Sequence, residues 1–315
     1  MTRSPRGPLP DAFSDAAFSD AAFSVAQGRS AGLTPGRLRG PAFERPFHGV
    51  RWGRSAQSRS LADQCRALRT VLAPTAVFSH ATAARLWRMP LPLSVGDALH
   101  VTIPQATAVR RPGVVGWTRD DRLDSSEIDG IPVTAAADTW TMLATMTGAR
   151  GGRLSREQLV AIGDFLVSGE RHRWGRTVPL ATIEELAAAV ARHGARRGAT
   201  SLAWALPRVR RPVDSPQESI LRLGLLAAGL PEPAVQPPVA TAEGIRHPDL
   251  GYLAERVLLE YLGDVHRTDP RTWRQDLVRV QLFEDAGYRV ILVGADDVRP
   301  DGMRGLAERV RRALG

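Results

Sequence analysis

Two carboxylates, Asp249 and Glu260, stand eleven residues apart in "HPDLGYLAERVLLEYLGDVHRTDPRTWRQD", residues 247–276. An antiparallel hairpin that turns between Ala254 and Glu255 sets them opposite each other on one face, with Cβ atoms about 4.5–5.5 Å apart. Side-chain alternation then puts Leu258, Glu260 and Leu262 on that face and Val257 and Leu259 on the other. Carboxylates this close repel unless a proton or a cation lies between them. A hard, oxygen-seeking ion such as Mg²⁺ or Mn²⁺ suits such a pair and can activate water and neutralise charge on a phosphoryl group. The alternative reading is a plain hairpin in which Asp249 caps a turn and Glu260 pairs with an arginine.

The elements that would position this pair are legible from Asp214 onward. The pattern predicts a helix over about 215–228, an extended piece at 234–241, strands near 246–252 and 256–262, a helix at 270–286, a strand at 288–294 and a helix at 301–314. "SPQES" reads as a capping box, with Ser215 as N-cap, Pro216 first in the helix and Glu218 reaching back to the cap's N–H. Glu218 reads here as a capping residue; the family resemblance given below implies a second reading, a first-helix acid brought to the same site. In the 270–286 helix, Trp273, Leu277 and Val280 form an apolar stripe, which makes Trp273 core or a base-stacking platform, and Gly287 ends the helix.

Upstream, "DAFSDAAFSDAAFS" repeats phenylalanine every five residues, a period of neither helix nor strand, so residues 1–23 read as a low-complexity lead-in. Ser24 caps a short helix that stops at Gly32, Thr34 with Pro35 starts another, and "FERPFHGVRW" is a strand candidate. Two short helices about three residues apart have helix-turn-helix spacing over 24–55, although many helical hairpins bind nothing. Residues 56–170 alternate helical and strand-like pieces in a middle α/β region. There His80 and His100 lack ligand-spaced partners and read as structural or exposed. "TIEEL" starts a helix at 182–193, within a basic helical linker spanning 171–212.

The chain of 315 residues carries 42 basic residues, all arginine, and a net charge of +9. Segments 1–60 (nine Arg against four acids) and 171–212 (nine against two) are basic, whereas 213–315 is net acidic (thirteen against sixteen). Such basic segments attract a polyanion through counterion release, or simply form a solvated surface. Arg37, Arg39, Arg196, Arg197, Arg208, Arg210 and Arg211 are the DNA-contacting candidates. The single Cys65 excludes an internal disulfide and a multi-cysteine zinc site. The N-terminus has no secretory h-region, and no run approaches the roughly 18 apolar residues of a membrane span, so a soluble cytoplasmic protein is expected.

The stretch from His247 to "GYRVILVGADDV" resembles the PD-(D/E)XK nuclease superfamily, in the branch similar to very-short-patch repair endonucleases. "FSVAQGRSAGLTPGRLRGPAFERPFHGVRW" and "FSHATAARLWRMPLP" resemble the AbiEi-type antitoxin winged-helix region. The resemblance implies an α/β multidomain chain: a winged helix-turn-helix-like region, the middle α/β region, and a restriction-endonuclease-like α/β domain over 213–315. It makes Asp249 and Glu260 the catalytic and metal-holding acids. The third motif position falls on Leu262, which holds no metal; His266, with Asp264 adjacent, is the substitute, and Arg274 or Arg279 would supply positive charge to a phosphate. The implied activity is Mg²⁺- or Mn²⁺-dependent hydrolysis of DNA phosphodiesters. The alternative is a non-catalytic AbiEi-like regulator or antitoxin with a degenerate nuclease domain and a cognate toxin as partner.

Overall fold

The computed structural model describes residues 21–53, 59–104, 109–119, 124–147, 154–172, 175–262 and 270–315, giving backbone only at 104 and 270–276. It is a mixed α/β protein of two compact units. Residues 1–88 and 95–139 form the first, and 89–94 with 140–315 form the second. Among the described residues no helix is long and apolar enough to cross a membrane.

The first unit opens with β1 (Phe23–Ser24), α1 (Val25–Ser30), α2 (Pro35–Leu38), β2 (Phe43–Glu44) and β3 (Val50–Gly53), its strands ordered β1-β3-β2. Ser24 Oγ accepts the Gln27 N–H at 3.1 Å while Gln27 Oε1 accepts the Ser24 N–H at 2.7 Å, a complete capping box. Thr34 caps α2, with Pro35 at its first turn. Both helix starts stand where the sequence set them. Phe23, expected at the end of the lead-in, is instead buried edge-on against Phe43, with ring centroids 5.4 Å apart. Phe13 and Phe18 lie outside the described residues. Phe23 directly precedes the capped helix α1, which the five-residue repeat does not reveal.

The unit continues through α3 (Leu61–Arg69), β4 (Val77–Phe78), α4 (His80–Leu86), β5 (Leu99–Pro104), β6 (Arg110–Arg111), β7 (Val114–Arg119), β8 (Ser125–Ile128) and β9 (Ile131–Thr134). The six strands run β6-β7-β5-β4-β9-β8, with the β5/β7 and β4/β9 pairs parallel. Cys65, Leu68, Phe78, Val101 and Val133 form the core under α3. Cys65 is fully buried, and that burial pushes its thiol up to about 12. His80 stacks on Trp117 at 4.0 Å, and Trp117 Nε1 donates to His100 Nδ1 at 3.1 Å. Both histidines are buried packing groups, in keeping with their lack of ligand spacing.

The division between the units falls inside α5 (Ala136–Leu143). The second unit then holds α6 (Arg156–Ser168), β10 (Arg171–His172), β11 (Gly175–Arg176), α7 (Ile183–His193), α8 (Ala199–Ala205), α9 (Pro216–Ala227), β12 (Ala234–Val235), β13 (Val239–Thr241), β14 (Gly244–Arg246), β15 (Leu250–Tyr252), β16 (Val257–Leu262), α10 (Pro270–Asp285), β17 (Arg289–Gly294) and α11 (Pro300–Leu314). Its main sheet is β12-β15-β16-β17, with β16 and β17 parallel across α10, and β13–β14 is a separate hairpin. One face, through Val257, Leu259 and Val293, buries Leu221 and Leu225 of α9 and Leu306 and Val310 of α11. On the other face Leu258 packs with Val239 and Phe283 of α10. Leu277, expected in the buried stripe of that helix, is 47% exposed, because Phe283 occupies the core. The side chain of Trp273 lies outside the described residues.

Residues 171–212, expected as a linker, and α6, expected in the middle region, fall in this same compact unit. The physical reason is a buried charge network. Asp164 on α6 is fully buried and accepts from Arg222 Nη2 at 3.3 Å, Ser219 Oγ at 2.7 Å and the Arg210 N–H at 2.7 Å. Such a group has to be satisfied by whatever surrounds it, so α6, the 208–211 segment and α9 fold as one.

Gly169 ends α6 with φ +68° and hands the chain to the β10–β11 hairpin. A Cβ there would lie 2.2 Å from the Thr177 carbonyl oxygen, which is backbone and cannot yield. Gly169→Ala is expected to destabilise by more than the ~1 kcal/mol of an ordinary left-handed position. Urea denaturation checks this; an unchanged midpoint would show that the hairpin can shift.

Candidate functional site

The hairpin of β15 and β16 pairs Leu250 with Leu259, Gly251 with Leu258 and Tyr252 with Val257. One step further along this register lies Asp249 opposite Glu260, the arrangement their spacing predicts. At that point the Asp249 side chain takes over the ladder: its Oδ2 accepts the Tyr261 N–H at 2.7 Å. Glu260 is buried on the face shared with Leu258, and Leu262, half-buried, brings no donor atom to the third motif position.

Glu218 joins them from the N-terminus of α9. Its N–H donates to Ser215 Oγ at 3.3 Å, so the cap is present. Its carboxylate does not close a capping box on Ser215; Oε2 accepts the Asp214 N–H at 3.1 Å and Gln236 Nε2 at 3.3 Å. The capping-box expectation is thus corrected: Ser215 caps the helix start, and the Glu218 carboxylate turns inward to Asp214 and Gln236 instead of back to the Ser215 N–H. The proton affinities show the company it keeps. Burial, then the Asp249 charge, pushes Glu218 up to about 8; burial, then Glu260, pushes Asp249 up to about 7. Burial raises Glu260 too, with Glu218 adding to it and Arg279 opposing. Three carboxyls that raise one another form a single electrostatic unit that keeps a proton near neutral pH.

Arg279 on α10 is the counter-charge. Its Nε donates to Glu260 Oε2 at 2.9 Å and its Nη2 to Oε1 at 3.3 Å, and Nη2 also reaches the His247 carbonyl. A positive group facing Glu260 is thus present, from the helix rather than the strand. Arg274 has no described side chain, and Asp264 and His266 lie outside the described residues, so of the sequence-derived set the structure gathers Glu218, Asp249, Glu260 and Arg279.

A second group was missed by sequence reasoning. Arg171 Nη1 donates to Asp214 Oδ2 at 2.8 Å, and Arg176 Nη2 to Asp214 Oδ1. Burial tends to raise the Asp214 carboxyl, but the Arg171 hydrogen bond and the Arg176 charge hold it below its usual range. Arg176 Nη2 also donates to Gln236 Oε1 at 2.9 Å. Gln236 is buried, holds φ +45°, and links the arginines to Glu218 through its amide. The only advance signal was the basic charge of 171–212. The arginines singled out there are otherwise engaged: Arg208 lies 4.4 Å over the Trp204 ring, Arg210 pairs with Glu232, and Arg196 donates to the Arg192 and His193 carbonyls. None of these three is hydrogen-bonded to the carboxylates. Arg197 and Arg211 are exposed, and Arg37 and Arg39 lie in the first unit around α2.

Would a divalent cation suit these acids? Glu218 and Asp249 bring hard carboxylate oxygens into one mutually repelling group. The donor chemistry therefore fits Mg²⁺ or Mn²⁺. Among the described residues, however, no three Asp, Glu, His or Cys side chains form a set that would hold a metal as they stand.

No known protein-family profile matches the chain. It is similar to two proteins of Mycobacterium tuberculosis, named "Uncharacterized protein MT2308" and "Uncharacterized protein Rv2248". Each is 27% identical over 263 residues, spanning 82% of this chain and 89% of the relative.

Proposed function

We propose that the second unit is a PD-(D/E)XK-like nuclease domain that hydrolyses phosphodiesters in DNA. The observation that carries this reading is the grouping of buried Glu218 and Glu260 with half-buried Asp249 as mutually repelling carboxyls where the start of α9 meets the β15–β16 hairpin. Charge repulsion of this kind costs stability, and active sites are where such a cost is kept. The element order α9, β15–β16 hairpin, α10, β17 agrees with that superfamily's core. Asp249, Glu218 and Glu260 would hold the cation, which supplies a more acidic bound water and neutralises charge on the phosphoryl oxygens. Asp249 is oriented for this by the Tyr261 N–H, and Glu218 by the Asp214 N–H and Gln236. Arg279 stabilises negative charge beside Glu260 and meets phosphate oxygen once that acid turns away. His266 is proposed as the group that orients or deprotonates water. The α1–α2 pair with its three-stranded sheet is proposed as a winged-helix-like DNA contact.

A second reading draws on the Arg279 fork and Leu262. A guanidinium already paired with Glu260, and a third position without a donor, suit an AbiEi-like regulator or antitoxin whose nuclease fold binds without cutting. Incubating the purified protein with supercoiled plasmid and with single-stranded DNA, with Mg²⁺ or Mn²⁺, decides between them. Nicking that disappears in Asp249→Ala is expected; intact DNA under all conditions, with binding retained, would leave the regulator.

A further inference from the structure

Beside the carboxylates lies a cavity of about 500 Å³ walled by Arg171, His172, Arg176, Gln236 and His247, with Pro212 and Gly175 completing its rim. Its side chains are cationic or neutral, although it adjoins three acids through a single residue. Gln236 forms the partition: its side-chain carbonyl oxygen accepts from Arg176 on the cavity side, and its amide donates to Glu218 on the other. Its backbone stands in the left-handed region at φ +45°, a conformation disfavoured in a non-glycine residue. Strain of this kind is retained where surrounding structure over-determines a residue, and it clusters at ligand sites. The two arginines are pre-ordered by the shared Asp214 carboxylate, while Arg171 keeps 47% and Arg176 22% of its side-chain surface exposed. The hairpin that presents them is pinned by Gly169 and by the Glu170 N–H, which donates to Thr177 Oγ1 at 2.8 Å.

We propose that this cavity is a binding subsite for one phosphate-bearing nucleotide of a single nucleic-acid strand, the nucleotide next to the phosphodiester that the carboxylates engage. The proposal rests on the hydrolytic reading of the site and deepens it. Planar guanidinium groups held side by side match a phosphate's paired oxygens, and a concave wall of this volume receives one nucleotide rather than stacked base pairs. The partition explains how one strand can meet both signs of charge. The acid side needs a cation or a proton before it tolerates a phosphate, whereas the arginine side attracts the neighbouring phosphate directly. Binding energy gathered at the cavity is thereby available for holding the strand against the repelling acids.

The test uses the full chain and a fluorescein-labelled twelve-residue oligothymidylate in EDTA, with the matching duplex alongside. The Arg171→Ala/Arg176→Ala protein is expected to bind the single strand at least 10-fold more weakly. Its log–log salt slope should shrink by about 0.7 for each phosphate that the arginines no longer neutralise. His172→Glu is the second variant. His172 is exposed and engages its neighbours through the backbone ladder, so the substitution places an acid on the wall without removing a described side-chain bond. It should weaken the single strand several-fold with an unchanged melting temperature. Normal single-strand binding by a folded His172→Glu protein, or equal weakening for the duplex, would overturn the proposal. Should no protein cleave DNA while the oligonucleotide still depends on these residues, the subsite stands and the hydrolytic reading falls. Undiminished cleavage and binding in the double-arginine variant would do the reverse.

Discussion

Asp249→Asn is expected to melt higher than the wild-type protein at pH 8 while losing cleavage. The sign follows from the direction of the shift. A carboxyl with a folded value near 7 against 3.8 for the ordinary group binds its proton more readily in the folded state. Its contribution to stability is therefore present below about pH 4 and is lost as pH rises through 7. Asparagine removes that loss: its Oδ1 still accepts from Tyr261, and its amide then donates toward the other acids. With Asp249 only half-buried, the gain is on the order of 1–3 kcal/mol, or several degrees in a unit of this size. At pH 4 the two proteins should melt together. Millimolar Mn²⁺ at pH 8 should raise the wild-type melting temperature and leave that of Asp249→Asn in place. A variant less stable than wild type at pH 8 would show that Asp249 is a structural hydrogen-bond acceptor and that the acids do not repel.

The largest loss of stability is expected from Arg222→Ala. Arg222 is 1% exposed and joins Asp164, Glu232 Oε1 at 2.8 Å and the Arg208 carbonyl at 2.7 Å. Truncating it leaves Asp164 buried with only Ser219 and the Arg210 N–H, a change that costs about 3–5 kcal/mol. Burial already pushes Asp164 up to about 6, with Arg222 as the largest opposing influence. Without Arg222 the acid rises further, so the deficit should shrink at pH 5, where Asp164 takes a proton, and be largest at pH 8. Urea denaturation at the two pH values measures this. Equal deficits would mean that poorer packing, rather than unpaired charge, sets the cost. Asp164→Leu combined with Arg222→Met should recover much of the loss, because neither half then leaves a charge behind.

What could be read in advance was whatever is decided within a few residues. Ser24 and Gln27, Thr34 and Pro35, and Ser215 and Pro216 each close their structure over one helical turn. The opposition of Asp249 to Glu260 follows from a tight turn and a two-residue alternation. The β13–β14 hairpin escaped notice because its residues carry no alternation: Ala240, Gly244 and Ile245 are all exposed. Leu277 misled because a helical stripe gives the buried side only once the partner sheet is known. The hydrogen-bonded chain from Arg171 and Arg176 through Asp214 and Gln236 to Glu218 joins four separate segments, and no local spacing connects them. Asp164 reads as an ordinary helix-surface acid, and only its burial beside Arg222 shows why residues 156–227 fold together.

The fully buried Cys65 has a use that its chemistry alone would not suggest. A thiol with no exposed surface and a proton held to about 12 reacts with a disulfide reagent only during moments when the first unit opens. It is the chain's single sulfhydryl. The labelling rate therefore counts openings of the Leu68, Phe78 and Val101 core and nothing else, while fluorophores tethered to the second unit by other chemistry follow that unit independently. The wild-type protein thus carries its own unfolding clock for the first unit, beside which melting of the second unit can be followed in any variant around the carboxylates.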